Sequence, residues 1–337
     1  MAMVTIKDVA KRAGVSISTV SNALNGLSNV SEETREKVLE SARELNYFPN
    51  INAKLMKTRK TNNIGLFLPN FNSSFYTRLV QAIYVTCENN GYALLVHISN
   101  EYPSRRLAAS ILSSNVDAAV VLNEHLADCD VELLRKKGIP FVFLDKSIAE
   151  DKLSSVLLNN EKGILQELEY LVHTGHKTIA FLRGTDNFDG QQRYRAFLQG
   201  MEKLHLPVYP ELVQQGFFDT NAAYSAVRGA YSHISRCPDA ILCANDEMAL
   251  GCIRALRDLG KRIPEDVSVM GFDDGDAAKQ CSPALTTAQV SVREIGRQAV
   301  EELLRLMDRD AQGRRICLDT RLVIRDSCAI RYRGELE

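Results

Sequence analysis

A run of short side chains between residues 16 and 25 is suited to contact with a polyanion. It consists of Ile17, Ser18, Thr19, Ser21, Asn22 and Asn25. Hydroxyl and amide groups of this length allow a helix backbone to lie close to base edges and phosphates in the major groove of DNA. A helix that only faces solvent would usually carry Glu and Lys at such positions. The pattern favours a nucleic-acid-binding helix.

A second set of polar residues follows short apolar runs that are typical of buried strands. Its members are Asn70, Asp145, Asn245, Asp246, Asp273 and Asp274. Any one of them could serve only as a helix cap. In parallel sheets, however, the carboxyl ends of the strands border one crevice, where such groups can hydrogen-bond a polar ligand. Together they predict a small-molecule site.

Three predicted helices near the amino terminus position the short polar side chains of residues 16–25. Thr5, Ser16 and Ser31 are expected to cap them, Gly14 supplies the left-handed turn between the first two, and Val20 is the expected contact between those two. The predicted helices cover residues 6–13, 17 to about 24, and 32 to about 45. Two helices around a glycine also occur in purely structural bundles, so spacing alone leaves that alternative open.

The charge distribution supports a polyanionic partner for this part of the chain only. Residues 1–60 contain 10 Lys and Arg against 6 Asp and Glu, whereas the remainder contains 31 against 36. The eight cysteines are scattered without metal-ligand spacing, so neither a metal nor a cofactor is predicted. No apolar run is long enough to span a membrane, and we expect a cytoplasmic protein with no membrane partner.

The rest of the chain alternates apolar strand-like runs with helical stretches, which predicts parallel sheets covered by helices. About 275 residues of this kind are enough for two doubly wound lobes. No G-x-G-x-x-G opens the first strand, no G-x-S-x-G elbow occurs, and no Cys and His fall in a catalytic pattern. We therefore predict that the protein is not an enzyme.

Long stretches of the chain resemble the lactose-repressor (LacI/GalR) family of bacterial transcription factors. The similarity is carried by "TIKDVAKRAGVSISTVSNALNG" and "VSEETREKVLESARELNYFPN" near the start, and by "ANDEMALG" and "IPEDVSVMGFDD" further on. It implies a helix-turn-helix headpiece, a hinge helix, and a periplasmic-binding-protein-like effector domain of two lobes. The implied limits are 1–49 for the headpiece, 50–60 for the hinge, 61–159 with 291–321 for the N-lobe, and 160–290 with 322–337 for the C-lobe.

The resemblance also implies which residues contact DNA. Ile17, Ser18 and Asn22 match positions that read base edges in the family, although many members carry Arg in place of Asn22. Six further residues match phosphate contacts: Thr5, Ser16, Thr19, Ser21, Asn25 and Ser31. Four residues match the hinge helix that enters the minor groove: Asn50, Ala53, Lys54 and Met56, the last standing where a leucine wedge is usual.

For the effector, the resemblance implies hydrogen bonds from Asp145, Arg193, Asn245 and Asp273 and apolar contacts from Phe75 and Phe218. A sugar or sugar derivative suits these groups, but a purine could use the same ones. The chain departs from the family at "NSSFY", which lacks a common proline, and at Val290. The identity of the effector therefore cannot be transferred from any one relative.

The partners implied are a pseudo-palindromic duplex operator, a second copy of the chain in a homodimer, and a small-molecule effector that controls DNA affinity allosterically. A two-fold dimer is also what a DNA site of two half-sites requires. A ligand-binding protein without operator activity is the remaining alternative.

Overall fold

The computed structural model describes residues 4–24, 27–47, 60–99, 105–232 and 237–331 of the 337-residue chain. The protein divides into two compact units, residues 1–61 and residues 62–337.

The first unit is built from three short helices: α1 Ile6–Ala13, α2 Ile17–Leu24 and α3 Glu32–Glu44. The bounds of α1 and α2 are those predicted from the capping residues. Their core is small and consists of Val9, Ala10, Ala13, Val20, Ala23, Val38 and Ala42, all buried. With so few apolar side chains available, the stability of this unit depends on each of them.

Local hydrogen bonds fix where these helices begin and end. The Thr5 hydroxyl donates to Asp8 Oδ2 at 2.7 Å and the Thr5 amide donates to the same oxygen at 2.8 Å, and both bonds lower the pKa of Asp8. Gly14 has a φ of 68° and donates its amide to the Ala10 carbonyl. Only a residue without a β-carbon adopts this conformation readily, which explains the glycine in the turn.

The second unit alternates strands with helices, as the apolar pattern predicts. Its strands are β1 Asn63–Leu68, β2 Ala93–Ile98, β3 Ala118–Val121, β4 Phe141–Phe143, β5 Leu153–Leu158, β6 Ile179–Arg183, β7 Val213–Gln215, β8 Ala240–Cys243, β9 Ser268–Asp273, β10 Thr286–Gln289, β11 Arg315–Leu318 and β12 Arg321–Val323. Its α-helices are α4 Ser74–Asn89, α5 Arg105–Ser113, α6 Asp128–Lys137, α7 Asn160–His173, α8 Phe188–Lys203, α9 Thr220–Tyr231, α10 Asp246–Asp258, α11 Asp276–Gln280 and α12 Val292–Leu306.

These strands form two sheets of six. The sheet of the N-lobe has the order β11-β5-β4-β3-β1-β2, and that of the C-lobe has the order β12-β10-β9-β8-β6-β7. All pairs are parallel except β12, which runs antiparallel to β10. The chain passes between the lobes after β5, after β10 and after β11. The loops at the carboxyl ends of both sheets, and the helices that follow them, supply the polar residues considered below.

In the N-lobe, α12 approaches α4 closely at Gly296. A β-carbon at this position would lie 2.6 Å from Ala82 Cβ and 2.9 Å from the Ile83 amide nitrogen. We expect Gly296→Ala to force the helices apart and to lower the free energy of unfolding by about 1–3 kcal/mol in urea titrations. Gly229→Ala in α9 is the control, because no atom lies within 4 Å of its added methyl, and it should stabilise the fold slightly. Equal stability of both variants would contradict this packing.

Candidate DNA-binding surface and ligand cleft

Helix α2 divides cleanly into a buried face and an accessible face. Val20 and Ala23 are in the core of the unit, while Ile17 is 45% exposed. The other predicted DNA contacts in α2 are either exposed or half-buried: Ser18, Thr19, Ser21 and Asn22. The predicted base-reading residues Ile17, Ser18 and Asn22 are thus all accessible, as a recognition helix requires.

Exposed hydroxyl groups lie at the amino-terminal end of each of the three helices. Ser16 Oγ accepts the Thr19 amide at 3.0 Å and lies 2.7 Å from Ser18 Oγ. Thr5 precedes α1 and Ser31 precedes α3, and both are exposed. Amide groups and the helix dipole at such ends attract anions, which suits contacts with phosphate.

Five predicted DNA contacts lie outside the described residues, and they stay predictions. They are Asn25, Asn50, Ala53, Lys54 and Met56.

In the C-lobe, Arg193 and Asp273 lie close together at the carboxyl end of β9. The Arg193 Nη2 atom is 3.6 Å from Asp273 Oδ1, and both residues are buried. Arg193 also donates from Nε to Asn160 Oδ1 at 2.9 Å and from Nη1 to the Ala244 carbonyl at 2.5 Å. Its guanidinium is 3.8 Å from the ring centre of Phe272. Each nitrogen of this guanidinium therefore already faces a partner within the protein.

Burial raises the pKa of Asp273 well above its usual value, and the nearby Arg193 charge opposes this effect. The Asp273 backbone has a φ of 116°, a strained conformation for a residue with a side chain. Phe218 also has positive φ, and its ring centre lies 5.9 Å from the guanidinium of Arg193. Phe75, in the N-lobe, is half-buried and lies edge-on to Tyr76.

Asn245 serves as the cap of α10. Its Oδ1 accepts the Met248 amide at 2.9 Å, and its Nδ2 donates to Glu247 Oε2 at 2.8 Å. A ligand hydrogen bond from Asn245 would have to share or replace these contacts. Asn245 was predicted to contact the ligand, and this stays a prediction. The structure shows that Met248 and Glu247 hold its side chain in place.

Asp145 lies in a different part of the cleft and lines a cavity of about 790 Å³. The loops after β3, β4 and β6 contribute to this cavity, so both lobes border it. Asp145 is 8% exposed, and neither of its carboxylate oxygens accepts a hydrogen bond from the described residues. Burial raises the pKa of Asp145 to about 7. A buried carboxylate without donors is an acceptor suited to a ligand.

Glu247, which was not predicted from the sequence, links the two lobes. Glu247 Oε1 in the C-lobe accepts from Ser74 Oγ at 3.0 Å, from the Ser74 amide at 3.1 Å and from Ser73 Oγ at 3.2 Å, all in the N-lobe. Its sequence signal was only an acid in the first turn of a helix, which usually indicates a dipole interaction. The serines lie in the "NSSFY" segment, where the chain departs from its family.

We expect Glu247→Ala to favour a more open cleft, because it removes an acceptor shared by three donors across the lobes. Small-angle X-ray scattering should show a larger radius of gyration without ligand. Glu247→Gln keeps an acceptor oxygen at this position and is the matched control. An unchanged radius in the alanine variant would show that these bonds do not hold the lobes together.

A three-helix unit with an accessible, polar second helix, followed by two α/β lobes around a cleft, defines a class of protein: a helix-turn-helix regulator with a ligand-binding domain. Residues 5–50 match the family model described as "Bacterial regulatory proteins, lacI family", and residues 168–328 match a "Periplasmic binding protein-like domain". The chain belongs to the LacI family, and it is a transcriptional repressor with a ligand-binding domain.

Among similar curated proteins, the probable HTH-type transcriptional repressor ExuR of Bacillus subtilis (strain 168) is 31% identical, with 96% of this chain and 98% of that protein covered. The HTH-type transcriptional repressor PurR of Vibrio vulnificus (strain CMCP6) is 34% identical, with the same coverage. A crystal structure of the Lac repressor dimer bound to operator and the anti-inducer ONPF has a TM-score of 0.86 at 28% identity, covering 97% of this chain and 100% of that one. A complex of the regulator CelR with cellobiose has a TM-score of 0.72 at 28% identity, covering 96% and 99%.

These comparisons confirm the predicted family, the helix-turn-helix and two-lobed fold, and the prediction that the chain is not an enzyme, since its relatives are transcriptional repressors. Within the described ranges, no helix has the length and apolar character needed to cross a membrane.

Proposed function

We propose that the protein binds a pseudo-palindromic operator as a homodimer and that a small molecule in the cleft between the lobes controls this binding. The observation that carries the proposal is the accessible row Ile17, Ser18 and Asn22 on α2, with its opposite face buried. Side chains of this length allow direct contact with base edges. The proposed domain organisation is a DNA-binding headpiece at 1–49, a hinge at 50–60 and an effector-binding domain at 61–337.

Exposed apolar side chains on the N-lobe support the homodimer. Tyr84 and Val85 on α4 are 47% and 43% exposed, and Ile98 at the edge strand β2 is 52% exposed. Leu95 and Val96 on the same strand are also exposed. An apolar edge of this kind is usually covered by a partner. The similar Lac repressor was crystallised as a dimer on its operator.

For the effector we propose a sugar or sugar derivative bound near Asp145, Arg193, Asn245, Asp273, Phe75 and Phe218. Carboxylate, amide and guanidinium groups near aromatic rings suit the hydroxyls and the apolar face of a sugar. The similar regulator CelR is seen with cellobiose. A purine is the second candidate, because relatives named PurR cover nearly the whole chain.

The proposal is tested by selecting duplexes from a random pool with the full-length protein and measuring affinity by fluorescence anisotropy. We expect a two-fold symmetric site whose affinity falls steeply with salt. Ligands found by thermal shift should change operator affinity by roughly 5-fold to 150-fold. Failure to enrich any sequence, or affinity independent of salt, would rule out an operator-binding role.

A further inference from the structure

A small void of about 20 Å³ adjoins the large cavity and shares Glu124, Asp145, Asn187 and Phe188 with it. The void is lined by Pro69, Tyr76, Leu122, Glu124, Asp145, Asn187, Phe188 and Asp189. Three of these residues are carboxylic acids, and none is Lys, Arg or His. A space of this volume holds a group about the size of one water molecule.

The carboxylates around this void are only weakly compensated by cations of the described residues. The charge of Lys146 opposes the effect of burial on Asp145, but Lys146 itself is paired with Asp128 at 3.1 Å. Asp145 is buried, and its two oxygens have no hydrogen-bond donor among the described residues. Asp189 Oδ1 accepts one bond, from Asn160 Nδ2 at 2.7 Å. Tyr76 borders the same void, and burial together with the charges of Glu124 and Asp145 raises the pKa of its hydroxyl. Buried carboxylates normally have a cation or several donors beside them.

The residues that line the large cavity also carry an excess of negative charge. Its lining contains six acids: Glu124, Asp128, Glu132, Asp145, Glu150 and Asp186. Besides His125, the lining contains the basic residues Arg135 and Lys146, and both are engaged with acids of the same lining. Arg135 lies 2.8 Å from Glu132, and Lys146 lies 3.1 Å from Asp128. An anionic ligand would therefore enter a cavity whose positive charges are already paired.

We propose that the void binds a protonated primary amine of the effector, so that the ligand is an amino sugar or another polar amine. This inference rests on the proposed effector cleft. An ammonium group presents three donors and one positive charge to Glu124, Asp145 and Asp189. The rings of Tyr76 and Phe188 also line the void, and aromatic rings attract cations. A hydroxyl would bring one donor and no charge, and a carboxylate would be repelled.

The site is tested first without knowledge of the natural ligand. We expect the melting temperature of the full-length protein to be higher in methylammonium chloride than in tetramethylammonium or sodium chloride at equal ionic strength, because tetramethylammonium is too large for the void. Asp145→Asn and Glu124→Gln should each remove this difference. Glu150→Gln should keep it, because this acid lines the large cavity but not the void, and its side chain is 53% exposed. No difference between the salts, equal stabilisation by sodium, or persistence of the difference in Asp145→Asn would overturn the proposal.

Matched ligands then identify the source of the amine. Isothermal titration is made with glucosamine, glucose and glucuronate, with the corresponding galactose series, and with spermidine as an aliphatic amine. We expect the tightest binder to be an amine, on the order of tenfold tighter than its hydroxyl counterpart, and Asp145→Asn to abolish that preference. Tighter binding of a neutral or anionic member would contradict it. Operator selection is unaffected by either result, so failure here is distinguishable from failure of the proposed function.

Discussion

Replacing Val20 with Asp is expected to abolish operator binding while leaving the unfolding of residues 62–337 unchanged. Val20 is fully buried in a core of seven small side chains. An unpaired charge at this position costs several kcal/mol, which is comparable to the whole stability of so small a unit. Because the chain divides at residue 61 into two compact units, we expect the loss to be confined to the first.

Two measurements separate the effects of this variant. Fluorescence anisotropy with the selected operator should show no specific binding, whereas calorimetry should retain the main thermal transition. Glu36→Asp, on the exposed side of α3, is the control and should bind as the unchanged protein does. Specific binding by the Val20→Asp variant would mean that the three-helix unit is not the DNA-binding element.

Asp145→Asn is expected to raise stability at pH 8 and to have little effect near pH 4. The folded-state pKa of Asp145 is raised to about 7 from an ordinary value of 3.8, chiefly by burial. The protonated form is therefore favoured in the folded protein, and stability is lost as the pH rises from about 4 to about 7. The loss in the free energy of unfolding from this group approaches about 4 kcal/mol. The neutral amide of Asn avoids this loss, but its own unsatisfied hydrogen bonds offset part of the gain.

Urea unfolding of both proteins across this pH range measures the effect. The groups that face Asp145 are Glu124, Lys146, Asp189 and Tyr76, and they are present in both proteins. Asp128→Asn removes the same charge at an exposed site and should show no comparable gain. Parallel pH profiles for the unchanged protein and Asp145→Asn would show that Asp145 is not a destabilising buried acid.

Much of the fold could be predicted because its determinants are local. Thr5 and Gly14 fix α1 through bonds within a few residues, and the predicted bounds of α1 and α2 match the structure. The alternation of apolar strands and helices likewise predicted two parallel sheets. The antiparallel β12 was not predicted, because its pairing with β10 joins segments more than thirty residues apart.

The cleft was predictable in outline, but its internal bonds were not. The rule that ligands bind at the carboxyl ends of parallel strands placed Asp145, Asn245 and Asp273 near it. That Asn245 is engaged as a helix cap, that Arg193 is engaged with Asn160, and that Glu247 joins the lobes all depend on long-range contacts. A single sequence carries no signal for such pairings.

Since α2 is proposed to read base edges, replacing one of its side chains should change the operator sequence that the protein selects. Asn22→Arg replaces a short amide on the accessible face of α2 with a group that pairs bidentately with guanine. When the random-duplex selection is repeated with this variant, we predict that guanine becomes enriched at one position in each half-site, in two-fold symmetric fashion. Enrichment of an unchanged sequence with undiminished affinity would show that Asn22 faces no base and that α2 does not read the operator through this residue.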